Sequence, residues 1–91
     1  MKLHWTSIAK EDLSEAVYHI ATNDIEAAVR VQIRIFEAVE DLINFPLKGR
    51  QGRKENTREL VVPGLPWLVV YRVRTEEITI LRMLHGAQDY S

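Results

Sequence analysis

The sequence predicts an α+β domain: an N-terminal strand, an antiparallel two-helix hairpin, and then a three-stranded antiparallel meander, with the helices packed on one face of the sheet. Two observations predict it. Two neighbouring segments in the first half of the chain have apolar residues at spacings of three and four, which is typical of helices. Three segments rich in β-branched and aromatic residues follow in the second half, joined by short connections that imply antiparallel pairing.

The first elements are a short strand and a helix. Lys2–Trp5 alternates between polar and apolar residues and predicts the opening strand. Thr6 or Ser7 can cap the helix that follows, because either side chain can accept a hydrogen bond from a free backbone N–H. The helix is predicted from Ile8 to about Thr22. Its apolar stripe consists of Leu13, Ala16, Val17, Ile20 and Ala21.

The second helix is predicted from Ile25 to about Asn44, with Asp24 as its N-cap. Phe45 and Pro46 end it, because a residue before proline avoids the helical conformation. Its apolar residues cover most of its circumference. We therefore expect it to pack against two neighbours, the first helix on one side and the sheet on the other.

The second half of the chain begins with a predicted loop. The segment Leu47–Asn56 has two glycines, four Lys or Arg residues and no apolar residue after Leu47, which indicates an exposed connection. Three strands are predicted after it, at Thr57–Val62, Trp67–Val73 and Glu77–Leu84.

Length and composition limit the classes of protein that remain. A chain of 91 residues can bury one core, so we assign a single domain over residues 1–91. It has no cysteine, which excludes disulfides and thiolate metal sites. The most apolar stretch, Leu60–Tyr71, is interrupted by prolines and a glycine and is shorter than a membrane span, and the N-terminus lacks the apolar run of a secretory signal. We expect a cytoplasmic protein with no membrane contact.

Charge is distributed unevenly along the chain. Residues 1–47 carry four Lys or Arg against eight Asp or Glu, whereas residues 48–91 carry eight against five. The densest basic segment covers the predicted loop and the start of the next strand, and consists of Lys48, Arg50, Arg53, Lys54 and Arg58. Arginine binds phosphate or carboxylate through two parallel hydrogen bonds, so this segment is a candidate contact for nucleic acid or an acidic partner helix. A solvated loop without such a role is the alternative.

The last predicted strand contains a second candidate site. Arg82 interrupts an otherwise apolar strand, where we expect it to share one sheet face with Ile78, Ile80 and Leu84. His85 follows at the strand end. Together they could serve phosphodiester cleavage, with the arginine stabilising anionic charge and the histidine acting as acid or base. Alternatively, His85 only closes the strand with a hydrogen bond.

No cofactor and no metal are expected. The three histidines show no metal-ligand spacing, and no carboxylate pair or glycine-rich phosphate loop stands in the right context.

Four stretches of the chain resemble the ParE/RelE superfamily of type II toxin–antitoxin toxins. They are Gly49–Arg53, Thr57–Val62, Val70–Val73 and Ile80–Ala87. The similarity extends over essentially the whole chain, including Trp5-Thr6 and the segment Ala9–Leu13.

The resemblance implies a toxin that arrests bacterial growth, of the kind associated with plasmid stabilisation. A small antitoxin would neutralise it by wrapping it with an acidic, amphipathic C-terminal segment, and operator DNA would be contacted only through that antitoxin. On this view the residues that bind the antitoxin or the target are Lys48, Arg50, Arg53, Lys54, Arg58 and Tyr90.

Two molecular targets occur in the superfamily. ParE-like members poison DNA gyrase, whereas RelE-like members cut mRNA on the ribosome. Leu68 stands where the RelE branch tends to have an arginine, and the helices lack dense lysine, so the sequence favours gyrase. The alternative is an mRNA endoribonuclease using Arg58, Arg82 and His85. A second alternative is an interaction module without toxicity.

Overall fold

The structure, a computed structural model, describes residues 1–86, which form two helices and a five-stranded sheet in the order β1-β5-β4-β3-β2. The predicted α+β class is confirmed. The elements are β1 (Lys2–Trp5), α1 (Ser7–Ala21), α2 (Ile25–Asp41), β2 (Arg50–Gln51), β3 (Arg58–Val61), β4 (Trp67–Val73) and β5 (Glu77–His85). Neither helix of this part of the chain is long and apolar enough to cross a membrane.

Strands β3, β4 and β5 form the predicted antiparallel meander. Strand β1 lies on the far side of β5 and pairs with it in parallel, with Lys2 opposite Glu77 and Trp5 opposite Ile80. A parallel pair needs a long connection, and every other element of the sheet and both helices lie between these two strands in the chain. As a result, β5 is an inner strand although it is the last element of the described chain.

The prediction of an exposed loop at Leu47–Asn56 was wrong for its central residues. Arg50 and Gln51 form β2, which pairs antiparallel with β3, and Gly49 before it is buried. A Cβ at Gly49 would lie 2.7 Å from both Cε1 and Oη of Tyr71, so only glycine fits there. Two polar residues between glycines carry no strand pattern, which is why the sequence did not indicate this edge strand.

The helix starts follow the predicted capping residues. Oγ1 of Thr6 accepts a hydrogen bond from the Ala9 N–H at 3.0 Å, and Oδ1 of Asp24 accepts one from the Ala27 N–H at 3.0 Å. The Thr6 hydroxyl also donates to the Leu81 carbonyl at 3.1 Å. The same side chain therefore starts α1 and attaches it to β5.

Helix α2 ends at Asp41, three residues before the predicted end at Asn44. The N–H groups of Leu42 and Ile43 donate three residues back, to Val39 and Glu40, instead of four. This tighter bonding satisfies the last carbonyls and turns the chain out of the helix ahead of Pro46.

The principal core lies between the helices and one face of the sheet. Its fully buried members include Ile35 and Val39 of α2, Val69 and Tyr71 of β4, and Ile80 of β5. A second, smaller cluster lies on the opposite face and consists of Leu68, Val70 and Leu84, with Leu81 packed against it.

The prediction that Arg82 shares one sheet face with both Ile80 and Leu84 was wrong. Strands β4 and β5 shift register between Val70 and Tyr71, so that Val70 is opposite Arg82 but Tyr71 is opposite Ile80. This irregularity reverses the alternation of β5, because one extra residue is inserted on that strand. Ile78 and Ile80 therefore belong to the principal core, and Leu84 belongs to the cluster on the other face.

Helix α2 packs against α1 and against the sheet, as expected, since Ile35 and Val39 belong to the core. Part of its apolar surface is exposed, at spacings of four and three along the helix. The exposed residues are Ile25 (71%), Val29 (50%), Ile33 (52%) and Phe36 (37%). The helix therefore presents an apolar stripe to solvent, in addition to the face that packs on the core.

Asp12 connects α1 to the part of β5 that β1 does not reach. Because β1 ends opposite Ile80, the next residues of β5 have a backbone edge without a strand beside it. Oδ2 of Asp12 accepts from the Met83 N–H at 2.9 Å and from Nε of Arg82 at 2.8 Å, and Oδ1 accepts from Nη2 of Arg82 at 3.2 Å. One carboxylate therefore satisfies both the backbone edge and the arginine.

We predict that Asp12→Ala lowers the free energy of unfolding by about 1–3 kcal/mol, because a buried backbone donor and a charged side chain lose their acceptor. The neighbouring exposed carboxylate offers a matched control, and Glu11→Ala should change stability by less than about 0.5 kcal/mol. Urea denaturation of both variants measures the difference. Equal stability of the two would show that the Asp12 bonds do not support the fold.

Candidate functional site

The basic segment predicted from the sequence lies at the β2 edge of the sheet, but its cations Lys48, Arg50 and Arg53 are held in ion pairs. Nζ of Lys48 lies 2.9 Å from Oδ2 of Asp41 at the end of α2. Nη2 of Arg50 and Nε of Arg53 lie 3.2 Å from the two carboxylate oxygens of Glu59. Much of the charge counted along the sequence is therefore compensated within the fold.

Glu59 is the residue that organises this segment. Its side chain is 1% exposed, and it also accepts a hydrogen bond from the Arg53 backbone N–H at 3.0 Å. A buried carboxylate requires such partners, because desolvation of an isolated charge is costly. Sequence reasoning missed it because charges were counted along the loop and Glu59 belongs to the strand. A lone acid in an apolar strand beside a basic loop was the available signal.

Tyr71 fixes the other end of the segment. Its hydroxyl accepts from the Gly49 N–H and donates to the Pro46 carbonyl, both at 2.8 Å. Burial raises the pKa of Tyr71 above its usual value, while the Gly49 N–H and the charge of Arg58 oppose the shift. The phenol therefore stays protonated near neutral pH and remains a donor to Pro46.

A second group of cations lies at the end of the sheet where β3 begins and β4 ends. Arg58, Arg72 and Arg74 line an open groove of about 870 Å³, together with Glu55 and polar residues of the β2–β3 connection. None of these three arginines forms an ion pair within residues 1–86. Sequence reasoning missed Arg72 and Arg74, because they fall in and after a strand and only the fold brings them beside Arg58.

The three residues of the possible nuclease do not converge. Arg58 is opposite Tyr71 on one side of β4, and His85 is opposite Trp67 on the other side. Tyr71 and Trp67 are four residues apart, which corresponds to roughly 13 Å along a strand.

The surroundings of the other two members also differ. The hydrogen bond to Asp12 raises the pKa of Arg82 above its usual value, so that its guanidinium stays charged and bound. His85 is exposed, and its ring meets Trp67 edge to face with centroids 5.4 Å apart.

Other candidate sites are limited. Tyr90, expected to bind the target or the antitoxin, lies outside the described residues. In residues 1–86 no three His, Asp or Glu side chains come together as a group that could hold a metal ion. An open cleft of about 550 Å³ lies between the C-terminal half of α2 and β3, lined by Arg34, Ala38, Leu60 and Val61 among others.

We predict that Glu59→Gln destabilises the protein by about 1–3 kcal/mol, since a buried acceptor of charged hydrogen bonds is replaced by a neutral amide. Glu55→Gln, an exposed substitution on the same hairpin, should remain within about 0.5 kcal/mol of the parent. Thermal and urea unfolding compare them. If Glu59→Gln is as stable as Glu55→Gln, the hairpin does not depend on the buried carboxylate.

Comparison with known proteins places the chain in a family. Residues 3–90 match the family model described as the ParE toxin of the type II toxin–antitoxin system parDE. A relative from Sinorhizobium fredii named "Putative toxin Y4kP" is 37% identical over 89 residues, which cover 98% of this chain and 92% of the relative.

Solved structures agree. A chain of a chromosomal ParDE toxin–antitoxin system from P. aeruginosa superposes with a TM-score of 0.82 at 30% identity, covering 91% of this chain and 92% of the other. HP0894, a conserved hypothetical protein from Helicobacter pylori, has the same fold, with a TM-score of 0.53 at 20% identity over 91% of each chain. The chain belongs to the ParE family of toxins of type II toxin–antitoxin systems.

Proposed function

We propose that this ParE-family toxin arrests bacterial growth by binding DNA gyrase in the cytoplasm, and that a cognate antitoxin neutralises it. The observation that carries the choice of target is the separation of Arg58 from His85 across β4, together with the engagement of Arg82 by Asp12. General acid–base cleavage needs its groups within hydrogen-bond reach of one phosphodiester. This arrangement of residues favours inhibition of gyrase by binding over cleavage of mRNA.

An mRNA endoribonuclease is the second candidate. The exposure of His85 at the end of β5 favours it, because an accessible imidazole can act as an acid or a base. In such an enzyme His85 would be the acid or base, and it would act apart from Arg58. Gyrase inhibition and mRNA cleavage predict different effects of replacing His85 on toxicity.

The antitoxin is proposed to cover the exposed apolar stripe of α2. Ile25, Val29, Ile33 and Phe36 present the spacing that an amphipathic partner segment recognises. The similar structure from P. aeruginosa belongs to a ParDE system, which supports a partner of this class. Operator DNA is then contacted through the antitoxin.

We predict that expression of the chain alone stops bacterial growth and that co-expression of the antitoxin encoded beside it restores growth. Viable counts after induction measure both. Soluble, folded protein that accumulates in normally growing cells would contradict the proposed toxicity, and arrest that no neighbouring gene relieves would contradict the proposed neutralisation.

We predict that His85→Ala stays toxic, still inhibits supercoiling by purified gyrase, and leaves ribosome-bound message uncut. An enzyme that loses its proton-transfer group typically loses about 10²–10⁴-fold in rate, so a nuclease would become harmless. His19→Ala is the matched control, since His19 is an exposed histidine on α1. If His85→Ala alone abolishes toxicity while folding normally, and only the unmutated protein cuts message, the nuclease candidate replaces gyrase.

A further inference from the structure

We propose that the groove formed by Arg58, Arg72 and Arg74 is a carboxylate-binding site that receives an acidic segment of a protein partner. The inference rests on the proposed function for the identity of that partner as the antitoxin, and it assigns the electrostatic contact to this groove instead of to the loop cations. The site itself is defined by the arginines and does not depend on the toxin's target.

The groove is built by the antiparallel pairing of β3 and β4. Arg58 opens β3 opposite Tyr71. Arg72 is the next residue of β4, and Arg74 directly follows the end of that strand. The pairing therefore places the first residue of one strand beside the last residues of the other. Nη1 of Arg58 donates to the Gly49 carbonyl at 2.8 Å, which holds that guanidinium at the groove wall.

The charge of these arginines is not compensated within residues 1–86, in contrast to that of the loop. Lys48, Arg50 and Arg53 lie against carboxylates, whereas Arg58, Arg72 and Arg74 have no ion pair in the same range. An anion bound in the groove would gain charge-assisted hydrogen bonds from guanidinium groups that the fold leaves uncompensated in this range. The groove is therefore suited to an anionic group.

Arg72 adds a hydrogen-bonding reason. Its Nε is buried and finds no acceptor in the described part of the chain. A buried donor without an acceptor is unfavourable, and a carboxylate that binds the Nε edge of a guanidinium accepts two parallel hydrogen bonds. Residues 1–86 supply no acceptor, so a ligand carboxylate in the groove would supply one once the Arg72 side chain turns Nε towards it.

An acidic peptide fits this site better than a nucleic acid. Nucleic-acid affinity comes from many phosphates bound along a basic track, whereas this groove offers three arginines and contains Glu55. The chain as a whole has a formal charge of −1, so no broad positive field attracts a polyanion. One or two carboxylates of a peptide match the arginine forks without needing a longer track.

The test uses the purified full-length chain, with hexaglutamate as the acidic probe and a single-stranded hexanucleotide as the nucleic-acid probe. Calorimetry at low salt gives affinities, and amide NMR spectra locate the binding site. We expect hexaglutamate to shift the signals of Thr57, Arg72 and Arg74. Arg72→Gln and Arg74→Gln should each weaken binding roughly tenfold, as expected for lost charged hydrogen bonds.

Two control variants make the test specific. Arg30→Gln removes the same charge from an exposed position on α2 and should change the affinity less than twofold. Glu55→Gln removes the carboxylate from the groove and should tighten binding of hexaglutamate, because repulsion between like charges is relieved. Glu55→Gln should raise the affinity for hexaglutamate and Arg72→Gln should lower it. The result can therefore be interpreted even if one variant folds poorly.

Three results would overturn the proposal: unchanged affinity in both groove variants, equal weakening by Arg30→Gln, or tighter binding of the hexanucleotide than of hexaglutamate at the groove signals. The last would assign the groove to nucleic acid. These outcomes are separate from the proposed function. Suppose that the toxin arrests growth and is neutralised normally, but that its Arg72→Gln variant binds hexaglutamate like the parent. That result contradicts the groove proposal and leaves the proposed function standing.

Discussion

The edge of β5 beyond Ile80 is the constraint from which much of this structure follows. Strand β1 is four residues long and leaves that edge without a partner strand, so a backbone N–H of a buried residue needs another acceptor. Asp12 supplies it from α1 and binds Arg82 at the same time. Helix α1 is thereby fixed against the sheet, and Arg82, the most conspicuous cation of the strand, becomes part of the scaffold. The open backbone edge thus explains why Arg82 is held in the scaffold.

The same principle governs the basic segment. Glu59 and Tyr71, both buried, bind groups of the β2–β3 hairpin and of the chain before it. Because a buried carboxylate must be compensated, it recruits Arg50 and Arg53 as structural cations. Among residues 48–86, the arginines without an ion pair lie at the end of the sheet, in β3, in β4 and just after β4. A partner surface that depends on charge therefore has to be located from the ion-paired and unpaired side chains of the folded protein, and not from the sequence.

Most of the fold could be predicted from the sequence because its signals are local. The periodicity of α1 and α2, the caps Thr6 and Asp24, and the β-branched segments of the meander all act within a few residues. The remainder depends on pairing between distant segments. The register shift beside Val70, the strand β2 and the exposed side of α2 have no local signature, and neither has the groove that unites Arg58 with Arg72. The candidate site was therefore found only in part, with Arg58 named and its neighbours missed.

The position of β5 inside the sheet also bears on how the chain acquires its structure during synthesis. The strand made last among the described elements pairs with the strand made first, and the Thr6 hydroxyl bonds to a carbonyl 75 residues later. Contacts of such high sequence separation form late and slow folding, because almost the entire chain must be closed into a loop. A ribosome-bound chain that still lacks β5 cannot complete its sheet. A translation product interrupted before β5 therefore lacks the native fold.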